Sequence, residues 1–147
     1  MADRTVDDVV QMVRAHLRDY PELNRLIAGE ESGNGMIKLA IGFTVDRWNT
    51  SPPFIGAATV ASFPSESLLI MGTIVNLWDQ VLALSLRNFS TIRDAGGVSD
   101  VDGANVPYMQ RELTTRKQVF MQELSRMKKA VNISAALGQS GLHSEYH

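Results

Sequence analysis

The residues most suggestive of chemistry are the aspartates and glycines of RDAGGVSDVDGAN, Arg93–Asn105, three of each in one short span. Carboxylates at alternate positions beside glycine are what a calcium loop is made of. An EF-hand loop needs acids at its first, third and fifth positions, glycine at the sixth and glutamate at the twelfth. Counted from Asp100, the second acid is Asp102, glycine arrives early at Gly103, and the twelfth position is Arg111. A cation in the place of the last ligand argues against calcium. The span reads instead as a solvated linker or as a hairpin. Asn88–Arg93 and Val98–Asp102 are short β-compatible runs about Asp94–Gly97, whose glycines supply the positive φ of a tight turn. An isolated two-stranded hairpin is marginally stable in water, so this one is expected to dock on a neighbouring copy through Phe89, Ile92, Val98 and Val101.

Acid–base and nucleophilic chemistry finds little support. His16 lies on an N-terminal helix among Arg14, Arg18 and Asp19, while His143 and His147 sit in the C-terminal tail. Dispersed histidines form no site. The chain has no GxSxG, HExxH, P-loop or GxGxxG signature and no cysteine. Asp46 and Asp79 read as helical carboxylates, paired or capping. No enzyme, cofactor or metal centre is expected. A basic helix with Arg111, Arg116, Lys117, Arg126, Lys128 and Lys129 can neutralise phosphates. Its bases are spread around the helix, though, without helix-turn-helix spacing.

The elements that would position these residues are helical. Val6, Val9, Val10, Val13, Leu17 and Tyr20 form one apolar stripe after an N-cap at Thr5, predicting a helix over residues 5–20. Pro21 ends it and can start a second short helix, PELNRLIA, closed by Gly29. A third helix is expected from Met36 to Trp48, stopped by Thr50–Pro53, and FIGAATVASF follows as an extended connector. A fourth, apolar nearly all round, runs from Pro64–Ser67 to Arg87. Within it Gly72 either admits a neighbouring backbone or is an ordinary core glycine. The fifth and longest runs from Pro107, as first helical residue, to Leu137, with Gly138 beyond its end. Met109, Leu113, Phe120, Leu124, Met127 and Val131 form its stripe. The expected fold is all-α: a bundle of four to five helices, one small β-hairpin and a long C-terminal helix. Residues 1–138 form one domain and 139–147 a flexible tail.

At 147 residues, 44% hydrophobic and 20% charged, the chain has the composition of a globular domain. Its acidic N-terminus lacks the basic and apolar regions of a secretion signal. Leu68–Leu86 is long enough to span a bilayer but carries Asn76, Asp79 and Gln80 near its centre, so a buried helix is the better reading and no membrane is expected. Residues 1–31 hold seven acids and four bases, whereas residues 107–137 hold six bases and two acids. Surfaces of opposite sign are thereby available to meet, within one molecule or between copies.

The order of segments resembles that of a known family. RDYPELNRLIAGEE follows an acidic helix, then come DRWNTSPPFIG and FPSESLL leading into a buried helix, then the glycine-tipped hairpin and the basic helix. Over residues 5–137 this is similar to the head–tail connector or adaptor proteins of the tailed-bacteriophage neck. The resemblance implies a mostly helical virion subunit repeated in a ring, often twelvefold, beneath the portal. Such a ring is assembled in the host cytoplasm, meets portal and adjacent neck or tail proteins, and passes DNA through its lumen without specific binding. It would place contacts between copies on the hairpin and the exposed face of residues 107–137, and Arg111, Arg116 and Lys117 are the candidates there. Alternatives from the same observations are another tail subunit (terminator or baseplate) or a small DNA-binding regulator.

Overall fold

The computed structural model describes residues 3–20, 22, 23, 32–94 and 100–143, excluding the side chains of 88–94, 100–105 and 139–143. Among the described residues the chain forms four helices, α1 (Val6–Leu17), α2 (Asn34–Thr50), α3 (Glu66–Asp94) and α4 (Asp100–His143), and no strand.

α1 starts where capping chemistry puts it. Thr5 Oγ1 accepts from the Asp8 amide at 3.2 Å, and the Asp8 carboxylate accepts from the Thr5 amide at 2.8 Å, closing a capping box. The Thr5 hydroxyl also donates to that carboxylate at 2.7 Å, and with the Thr5 amide it holds the Asp8 carboxyl below its usual range. The helix ends earlier than its stripe predicts, because Arg18 turns left-handed (φ 53°) and Asp19 folds inward. The expected second helix from Pro21 lies outside the described residues, apart from a turn at Glu22 and Leu23.

α3 is the central element, packed against α1, α2 and α4. Gly72 shows why. A Cβ there would meet the Phe120 ring at 2.6 and 2.8 Å and the Thr44 methyl as well. It is side chains from two helices, rather than a neighbouring backbone, that use the space. Asn76 completes the crossing, donating to Thr44 Oγ1 at 3.1 Å and to the Gly72 carbonyl at 2.9 Å. Among the described residues, α3 from Glu66 to Arg87 is the one helix long and apolar enough to cross a membrane. Its buried Leu68, Leu69, Val75 and Leu77 belong to the bundle core.

The connector is extended, as predicted, and is pinned to α2. The Asn49 amide donates to the Ala58 carbonyl at 3.0 Å and accepts from the Ala58 N–H at 2.7 Å, as a neighbouring strand would. Within this segment Gly56 holds a positive φ of 94°, which glycine adopts without strain.

The expected hairpin does not form. Residues 88–94 continue α3 and residues 100–102 open α4. No glycine or proline interrupts the chain between Gly72 and Gly96, so nothing stops the helix. Helical backbone satisfies its own hydrogen bonds, whereas a lone hairpin needs support. Phe89 and Ile92 therefore lie on α3 and Val101 in the first turn of α4, with their side chains outside the described set; Val98 lies outside it entirely. The run from Asp100, already set aside as a calcium loop, is likewise helix.

α4 also starts before Pro107, which lies inside it at the loss of one backbone hydrogen bond, and it runs through Gly138. Its 44 residues span about 66 Å. α3 and α4 run antiparallel, since Asp79 meets Lys117 and Gly72 meets Phe120. The register carries α4 past the start of α3 beyond Lys128, and residues 132–138 are all exposed.

Candidate interaction site

Three buried charged residues, the Arg14–Asp19 pair and Lys128, hold the helices in place. Arg14 and Asp19, only 2% and 4% exposed, form an ion pair at 3.1 Å. Arg14 also donates to the Ser32 carbonyl at 2.8 Å and to Asn34 Oδ1, while the Ser32 amide donates to Asp19 at 2.9 Å. The cluster joins the end of α1 to the start of α2. Lys128, 1% exposed, reaches from α4 to the far end of α2. Its ammonium donates to the Ser51 carbonyl and lies 5.2 Å from the Trp48 ring and 5.9 Å from that of Phe54. Burial pushes its pKa below the usual lysine range.

Neither Arg14 nor Lys128 was singled out in the sequence as buried, though spacing marks both. Arg14 follows Val10 by four residues and Val13 by one. Lys128 continues Phe120 and Leu124 at steps of four. A charged residue on a core stripe is the signal.

Of the residues expected to join copies, Arg116 and Lys117 are engaged within the chain. The Arg116 guanidinium lies 4.5 Å from the Trp78 ring centre and bonds Glu112 at 3.0 Å. Lys117 pairs with Asp79 at 2.9 Å, an exposed bridge between α4 and α3. Arg111 is exposed on the same helix. Arg126 pairs with Glu123 at 2.7 Å.

Among the grooves lined by described residues, two bear on function. One, about 390 Å³, has an apolar floor from α3 and a rim that includes His16, Thr115 and Arg116. Its hydroxyls are held elsewhere. Thr115 donates to the Arg111 carbonyl at 3.1 Å, and the Ser67 hydroxyl pairs with that of Ser65 at 3.1 Å. The second, about 310 Å³, lies between α1, α2 and the connector, over Val6, Ile41, Gly42, Val45 and Val60. Lys38, Asp46 and Asn49 complete its lining. Among the described residues no three acids or histidines gather as metal ligands would.

The exposed end of α4 is itself apolar on one face. Ile133 and Leu137 are 59% and 66% exposed, and Ala130 precedes them on the same stripe. No family model matches the chain, and no curated protein or solved structure does either.

Proposed function

We propose that this chain is a structural, non-enzymatic subunit that assembles with copies of itself. One observation carries the reading: α4 extends past the bundle and exposes Ile133 and Leu137 on its extension. Apolar side chains this exposed on a projecting helix are expected to meet a partner. Buried links at both ends of α2, at Arg14–Asp19 and at Lys128, make the bundle a firm base for such an arm.

The place of assembly is read from the order of segments. We infer a ring at the neck of a tailed bacteriophage, joining portal to tail and passing DNA. The acidic N-terminal helix, the proline-stopped α2, the extended connector and the long basic helix support it; the hairpin is withdrawn. A DNA-binding regulator is disfavoured by the fate of the bases on α4. Arg116, Lys117 and Arg126 face carboxylates and Lys128 is buried, which leaves Arg111 and Lys129 for phosphates.

Co-sedimentation with purified phage portal rings tests the neck reading. Stoichiometric binding in a discrete ring is expected. Self-assembly with no affinity for portals of any type would move the subunit elsewhere in the virion. Tight, salt-sensitive binding to duplex DNA would favour the regulator instead.

A further inference from the structure

We infer that the groove between α1, α2 and the connector is the acceptor for the α4 end of a second copy; the inference rests on the self-assembly reading above. The apolar stripe on that end and the apolar floor of this groove are complementary in kind, but the other groove is apolar too. Charge decides between them. No acid follows Glu123 until Glu145, and with Arg126 paired to Glu123 the end of α4 is basic through Lys129. The other groove offers it no carboxylate: no acid is among its lining residues, and Arg116 there is already paired with Glu112. The α1–α2 groove carries Asp46 at one end and the Asp7–Lys38 pair, 2.9 Å, across the other. Neither Asp46 nor Lys129 makes an ion pair among the described residues.

Spacing then sets the register. Lys129 lies one turn before Ile133 on α4, and Asp46 lies one turn after Gly42 on α2. With the helices antiparallel, Ile133 settles over Gly42, Lys129 reaches Asp46, and Leu137 lies toward Val6 and Ile41. Gly42 is the floor that makes room: a Cβ there would meet nothing within 4 Å. Donor and acceptor are different surfaces of one subunit, so each copy gives one contact and receives one, as a ring requires. Two or three helical turns cover well under the roughly 1,000 Å² of a stable pair, so single contacts are weak and a closed ring reinforces them.

The test is zero-length carbodiimide coupling, which joins a lysine amine to a carboxylate as an amide with loss of water, read by mass spectrometry on mixed isotope-labelled and unlabelled full-length chains. Sedimentation is followed in parallel. The wild type is expected to give Asp46–Lys129 cross-links between copies and a ladder of multimers. Gly42→Leu fills the acceptor and Ile133→Glu spoils the donor. Each alone should lose the ladder while helicity by circular dichroism stays unchanged. Mixed together they retain one intact contact and should yield dimers and nothing larger. Asp46→Lys should abolish association, and combining it with Lys129→Glu should restore it. If the wild type multimerises but Gly42→Leu does so equally, or no cross-link between copies involves Asp46, the groove is not the acceptor and self-assembly still stands. A wild type that stays monomeric at every concentration overturns both.

Discussion

Arg14 is one half of a buried ion pair, so its loss carries a large penalty. Removing it takes the cation away from the buried Asp19 carboxylate, and breaking one side of a buried pair costs about 3–5 kcal/mol. Arg14→Ala is therefore expected to lower unfolding free energy by that amount in urea titration, while Arg116→Ala, at an exposed site, should cost far less. Lys128 has a different signature. Because burial lowers its folded pKa, the unfolded chain holds more protons between that value and the free lysine value of about 10.4. Stability should rise with pH across this window, as the penalty on the charged form is relieved. Lys128→Met removes the titrating group, so the difference between wild type and variant in chemical denaturation should shrink as pH rises toward 10.4. A difference independent of pH would show that the Ser51 carbonyl and the aromatic rings offset the desolvation fully.

Element packing depends on small residues in two opposite ways. At Gly72 a methyl would be driven into Phe120 and Thr44, and overpacking of this kind costs about 1–3 kcal/mol. At Gly42 the same methyl meets open space on a helix, where alanine is favoured over glycine by about 0.8–1.0 kcal/mol. Gly72→Ala should thus lower the melting temperature and Gly42→Ala raise it. The same elements show how far sequence alone reaches. Val9, Val10 and Val13 on α1, Ile37, Ile41 and Trp48 on α2, and Leu113, Phe120 and Leu124 on α4 were legible as core from their spacing, and all are buried. The connector was legible from its bounding prolines. The hairpin was misread because glycines near Asp94 mark a break between elements without saying which kind of element they separate. Pro107 misled because proline favours a helix start but does not oblige one. The grooves were not legible at all, since each is formed by elements distant in sequence.

For the whole molecule, a bundle closed by buried charges carries an α4 that outruns it. Rigid base and apolar arm suit a subunit whose partner is a copy of itself, and the acidic-to-basic gradient along the chain lets unlike faces meet. This account predicts that the arm is dispensable for folding and required for assembly. The most direct test is the mass distribution in solution of the full-length chain and of an Ile133→Asp, Leu137→Asp variant, across a wide range of concentration. Discrete oligomers for the wild type and a folded monomer for the variant, with equal helicity, are the predicted result. Oligomers of the same size from both chains, or a wild type that never leaves the monomer, would contradict it.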